Sequence, residues 1–467
     1  MELGFERADL QGNILRGYKK NRVRYLLLEI AEVKLARLWL GQIAADDPGE
    51  LIGLTRSDWG ATPPELCFNV SLTAPGLKKL GVTSAQMGWF PDEFREGMHT
   101  RGPKIGDTGD SAPENWEAPF DSPDRLHVIA TLYADKSKLL DEAQEQLLRF
   151  RGGGVFALLG VRDGANFDAA EVHFGYTDNI SQPRFEGVSD PTRFPDKQPY
   201  APLGTVLLGF PTVYEGLKWR VPLDLGRLGC FNAFRVLEQD VQAFEAFLDS
   251  SADVLMTLPE AEELLPKGAE KTWSGKPTRR EALREIVAAQ MCGRWRNGVP
   301  LELSPDSPDA KIERNDWSNF DYGPEARCPF GAHTRRANPR GGAIVQRIAN
   351  NTRRLVRRGM PYGPKYDPAK PDDEKRGLLG NFLCGNLAAQ FEAVMCDWVN
   401  LGLQDPHITG SNDPLLGAND KELSFFDLFL KTGKTIRLTG LPRLVHVRGG
   451  AYTFIPSLPA LRHLSRI

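Results

Sequence analysis

Apolar residues along this chain fall into short runs of two kinds. Val23–Ile30 (VRYLLLEI) is apolar nearly throughout, the pattern of a strand buried on both faces, and Ala31–Ala45 follows with Val33, Leu35, Leu38, Leu40 and Ile43 at helical spacing. Glu65–Leu72 predicts a second strand, Leu77–Leu80 the start of a short helix, and Leu126–Tyr133 a third strand. Lys136–Phe150 predicts an amphipathic helix with Leu139, Leu140, Ala143, Leu147 and Leu148 on one face, and Val155–Val161 closes the block as a strand. A second block repeats the alternation. Cys230–Leu237 predicts a strand, Gln239–Leu248 a helix, Leu378–Cys384 a strand, and Leu387–Val399 a helix with Ala388, Phe391, Val394, Met395 and Trp398 inward. Leu444–Val447 and Tyr452–Ile455 are late strands on either side of a Gly449-Gly450 break, and Glu281–Trp295 and Val356–Met360 are further elements of this block.

Strand–helix–strand occurring twice predicts an α+β protein of two halves, each like a split βαβ unit. The boundary is expected near Leu203, giving units 1–203 and 204–467. Stretches rich in proline, glycine and charge separate the elements at Gly102–Pro123, Asp190–Leu203, Ser304–Pro329 and Tyr362–Arg376. Loops of that length in compact domains are usually functional.

Composition narrows the function classes. The 467 residues are 41% hydrophobic and 25% charged, an ordinary globular balance. With 58 basic against 61 acidic residues the net charge is -3, so nothing favours a nucleic-acid partner. No apolar run approaches the ~18 residues of a membrane span. The start, MELGFERADLQGNILRG, has neither an apolar h-region nor a twin arginine, and six scattered cysteines without C-x-x-C spacing fit a reducing compartment; a cytoplasmic location is the expectation.

Three segments carry candidate chemistry. His333 sits in CPFGAHTRRANPR (Cys328–Arg340). The seven histidines form no H-x-H or H-x-x-x-H pair, which argues against a multi-histidine metal site, whereas haem needs only one protein ligand on its proximal face. A polar loop histidine without a ligand role is the plainer reading of the residue alone. Asp178 lies in HFGYTDNISQPRFEGV (His173–Val188), where Gly175 and Asn179 permit the left-handed backbone that projects a short carboxylate from a turn. Such a group is either a general acid/base or an Asx-turn residue. RRLVRRGMPYG (Arg353–Gly363) has four arginines in six residues. On a strand Arg353, Leu355 and Arg357 would face one way and Arg354, Val356 and Arg358 the other; a solvated basic edge strand is the plainer alternative.

These segments, with DLQGNILRGY (Asp9–Tyr18), RGLLGNFLCGNLAAQFE (Arg376–Glu392) and VRGGAYTFIPSLPALRHL (Val447–Leu464), together resemble the dye-decolorizing peroxidases, in particular their longer intracellular and fungal-like branch. The resemblance runs from Asp9 to Leu464. It implies two ferredoxin-like halves with antiparallel sheets and peripheral helices, and one b-type haem per chain in the C-terminal half. It assigns the proximal iron ligand to His333, the distal aspartate to Asp178 and the distal arginine to Arg357, with Arg358 as the neighbouring candidate. It also implies hydrogen peroxide and an aromatic, phenolic or dye-like reductant as partners; a homo-oligomer is compatible with it.

One position departs from the family's G-x-x-D-G motif, since Asn179 stands where the second glycine would be. Asparagine tolerates positive φ better than other non-glycine residues, so the turn is expected to survive. A carboxylate hydrogen-bonded to the second nitrogen of His333 would raise its basicity, and Asp413 is the first candidate, with Asp397 and Asp405 as rivals. As the acid/base group Asp178 would be a poor base at neutral pH, which suggests activity favoured in acid or help from a water. Tyr362, Tyr452, Trp317 and Trp398 are candidates either for electron relay or for plain packing. Two other readings remain at this point: a haem-binding or haem-handling protein with little peroxidase activity, which Asn179 favours, and an interaction protein on the same fold.

Overall fold

The computed structural model describes residues 4–185, 187–189, 200–214, 216–266, 268–323, 327–340 and 352–467. Most of the stretch Asp190–Leu203 therefore lies outside the described residues. In the first half the strand-like runs become β1 (Arg22–Ile30), β2 (Leu66–Leu72), β3 (Val128–Ala134) and β4 (Phe156–Ala165), antiparallel in the order β4-β1-β3-β2. The crossover helices bury only their apolar stripes: Ala36, Trp39, Leu40 and Ile43 on Val33–Ile43, and Leu140, Ala143 and Leu147 on Ser137–Leu148.

The second half holds β5 (Cys230–Gln239), β6 (Val356–Arg357), β7 (Met360–Tyr362), β8 (Gly377–Cys384), a hairpin of β9 (Phe425–Phe429) with β10 (Thr435–Thr439), and β11 (Val445–Ile455). Its main sheet runs β11-β5-β8-β6, with β7 also on β8. Apart from the hairpin, both halves thus share one order: fourth strand, first, third, second. The halves join where Phe454 of β11 pairs with Leu72 of β2. At the other end β4 packs against β7, so closely that a Cβ on Gly164 would lie 2.9 Å from the Pro361 carbonyl oxygen. The second strand of each half therefore meets the fourth of the other, and the sheet curls into a barrel.

Three local expectations are corrected. The Gly449-Gly450 pair does not divide two strands: β11 is continuous, with a bulge between Val447 and Gly449. Glycine is required there by close approach, because a Cβ at Gly449 would meet the Phe120 ring and one at Gly450 the Met98 sulfur. Residues 387–400 form two π-helical segments, Leu387–Glu392 and Val394–Asn400, instead of an α-helix. The wider coil turns Gln390 and Glu392 inward, where apolar spacing alone puts neither. Gln390 accepts from the Gly385 and Asn386 amides and donates to the Thr205 and Arg354 carbonyls; Glu392 receives Arg101, Lys104 and the Tyr452 hydroxyl. Finally, Gln239 belongs to β5, and the helix after it is Val241–Met256, capped by Asp240 accepting from the Ala243 amide.

Across the interior, Arg235 of β5 grips Asp107 of the first half through two hydrogen bonds of 2.6 Å, both side chains being 2% exposed. Asp107→Ala strands that guanidinium without a partner and is expected to cost about 3–5 kcal/mol of stability. Urea unfolding measures it, and Asp107→Leu combined with Arg235→Met should recover most of the loss.

Candidate active site

His333 opens the short helix His333–Ala337, with Ala332 at the N-cap. Two arginines of this helix hold it in place. Arg335 donates to the Cys328 carbonyl at 2.6 Å, and Arg336 donates to the carbonyls of Gly331 and Ser411 and to the Ser411 hydroxyl. Arg336 thereby ties the helix to the loop that carries Asp413. Burial pulls the Arg336 pKa down to about 10, with Asp413 resisting.

Asp413 is fully buried and fully used. Its Oδ1 accepts from the Leu415 and Leu416 amides at 2.9 Å each, and its Oδ2 lies 2.9 Å from His333 Nδ1. Burial is the largest influence on both partners and disfavours both charges. The mutual charge and hydrogen bond outweigh it, holding the carboxyl below its ordinary range and the imidazole above its own. An ionised carboxylate only accepts, so Nδ1 carries the hydrogen and Nε2 keeps its lone pair whenever the ring is neutral. The side chain of His333 is nevertheless 31% exposed, so the edge of the ring away from Asp413 remains accessible. The rivals are engaged elsewhere, Asp397 with Arg353 and Asp405 with His407.

The segment bearing Asp178 is pinned on both sides. Tyr176 donates to the Ala288 carbonyl at 2.7 Å, and His173 Nε2 pairs with the Tyr362 carbonyl at 2.8 Å. The Asp178 amide donates to the Ala170 carbonyl. Asn179 does adopt the left-handed backbone, with φ +61°, so the turn is retained.

Arg357 is on β6, and its Nη2 stands 3.7 Å from Asp178 Oδ1 and donates to the Ser181 carbonyl at 2.9 Å. Both side chains are about half open, so the pair adds at most ~1 kcal/mol to stability. Its two charges both act on His333, which draws His333, Asp178 and Arg357 into one electrostatic neighbourhood. Arg358 turns away, donating to the carbonyls of Asn13 and Ile14. Strand alternation does not sort these arginines, because β6 is only two residues long.

A cationic cluster was not foreseen. Arg354 has its pKa lowered to about 9 by burial, then by Arg340, Arg357 and Arg184. Arg340, 4% exposed, donates to the Ser318 and Phe320 carbonyls while its Nε has no partner among the described residues. Arg340 closes the CPFGAHTRRANPR segment and Arg184 follows Pro183, but no spacing rule connects them. The aromatic candidates are built into the packing: Tyr452 donates to Glu392, Trp317 to the Ile312 carbonyl, and Arg353 lies over Trp398.

Comparison with known proteins gives consistent findings. A family model described as the DyP dimeric alpha+beta barrel domain matches residues 9–159. The dye-decolorizing peroxidase msp1 of Mycetinis scorodonius is 28% identical, the match covering 98% of this chain and 87% of the relative. The multifunctional dye peroxidase DyP2 of Amycolatopsis sp. is also 28% identical, covering 98% and 95%. Among solved structures, a dye-decolorizing peroxidase in complex with 2,6-dimethoxyphenol superposes with a TM-score of 0.78 at 24% identity, over 99% of this chain and 100% of that one.

The Asp413 contact has a consequence that needs no ligand. Asp413→Asn can still serve the Leu415 and Leu416 amides, but its NH2 then faces His333 Nδ1. The hydrogen of the neutral ring is expected to move to Nε2, which imidazole 15N shifts report directly.

Proposed function

We propose, from the chain's similarity to dye-decolorizing peroxidases over nearly its whole length, that it is a haem-dependent peroxidase in which His333 holds the iron while Asp178 and Arg357 act on hydrogen peroxide. The observation that carries this reading is the single imidazole, backed by a buried carboxylate, that feels the charges of a facing carboxylate and guanidinium 3.7 Å apart.

The residues fit haem in two respects. Among the described residues no group of three or more His, Cys, Asp and Glu could hold a bare metal ion, so an iron bound through His333 must bring its other ligands with it. Arg354, set among other cations, and Arg340, whose Nε has no partner among the described residues, are donors that the two propionates of haem would meet. His333 would hold the iron through Nε2, and Asp413 would keep that nitrogen basic.

When bound, haem supplies the redox-active iron that takes up the two oxidising equivalents of peroxide and returns them one electron at a time. The protein's part is proton movement and charge. Asp178 accepts the proton of one peroxide oxygen and returns it to the other, which leaves as water. Arg357, always charged, stabilises the negative charge that builds as the O–O bond lengthens. Two electrons from an aromatic, dye-like or phenolic reductant and two protons complete the balance, giving two waters per peroxide. Among the described residues no helix is long and apolar enough to cross a membrane.

Peroxide-dependent oxidation of 2,6-dimethoxyphenol tests the proposal. The wild type is expected to show a Soret band and turnover. Asp178→Ala and Arg357→Ala should keep the haem and lose roughly 10²–10⁴-fold in kcat/KM for peroxide. Full haem content with unchanged axial ligation in His333→Ala would refute the assignment of the iron ligand.

A further inference from the structure

We propose that Gln182 is a positioning residue that sets where the Arg357 guanidinium stands; this rests on the peroxidase role given above to Arg357. The starting point is the sheet. β6 is the last strand in its order and pairs on one side only, Val356 with Leu383 and Arg357 with Phe382. Among the described residues its outer backbone edge has no strand to meet, and an edge of this kind leaves an amide and a carbonyl to be satisfied by other means.

The side chain of Gln182 meets both groups, sharing the carbonyl with Arg358 Nη1, which donates to it at 3.0 Å. Its Oε1 accepts from the Arg357 amide at 3.1 Å, and its Nε2 donates to the Arg357 carbonyl at 3.2 Å. One carboxamide thus reproduces the two-point pairing that a neighbouring strand would make. The preceding residue completes the hold, because the Ser181 carbonyl accepts from Arg357 Nη2 at 2.9 Å. Asp178 then faces the same nitrogen at 3.7 Å.

Residues 178–182 therefore grasp Arg357 at both ends of a long side chain, backbone and guanidinium. A flexible arginine has several rotatable bonds, and fixing both ends removes most of that freedom. Because the Gln182 amide is neutral, it places the cation without competing for its charge. Pro183, lacking an N–H, follows directly and stiffens the chain where the grip ends.

A positioning role is separable from a structural one by coupling. In the haem-loaded protein Gln182→Leu is expected to keep haem content and the KM for 2,6-dimethoxyphenol. The kcat/KM for peroxide should fall by roughly tenfold or more, since ångström-scale misplacement of a catalytic group is costly. Binding of cyanide, a small anion read in the Soret band, should weaken in parallel. In an Arg357→Ala background the same substitution should change neither quantity, because residues acting through one group are not additive. Gln182→Met, of equal reach and without hydrogen-bonding groups, carries the same expectations if the leucine variant does not fold. A peroxide kcat/KM within twofold of wild type, or an equal further loss in the Arg357→Ala background, overturns the proposal. A wild type that binds haem without turning over peroxide overturns the peroxidase reading and this one with it.

Discussion

Neither half of this chain can close its own sheet. Each four-strand arrangement ends on its second and fourth strands, which present unpaired backbone and apolar surface that water does not satisfy cheaply. The two ends of one half match those of the other, β2 meeting β11 and β4 meeting β7. Everything else follows from that closure. Asp178, which comes shortly after β4, and Arg357, on β6, are brought face to face although far apart in the chain. The buried Arg235–Asp107 and Glu392–Arg101 pairs likewise join groups from both halves.

The arginines of the second half sort by what surrounds them. Arg336 is buried but surrounded by carbonyls and a hydroxyl, and Arg358 reaches carbonyls of the first half; these two are rivets. Arg354 stands among other cations.

The elements themselves were largely legible. Runs such as Val23–Ile30 and Cys230–Leu237 are buried strands because their apolar content leaves them nowhere else to go, and the stripe on Lys136–Phe150 predicts the helix Ser137–Leu148 within a residue or two at each end. The failures have physical causes. Gly449-Gly450 signals a break by composition, but the need was room for Phe120 and Met98, which only packing reveals. The π-helical segments keep Phe391 and Trp398 inward while adding Gln390 and Glu392, because hydrogen-bond partners from distant segments reward the wider coil.

By itself the sequence determined most of the strands and helices and the left-handed turn at Asn179, since these depend on local spacing and residue type, while its resemblance to a known family singled out His333, Asp178 and Arg357 as the residues to watch. Tertiary structure alone decided that Asp413 and neither rival meets His333, that Arg357 and not Arg358 faces Asp178, and that Arg184, Arg340 and Arg354 share one neighbourhood. Those choices depend on distances between segments that are remote in the chain, and such distances exist only once the barrel has closed.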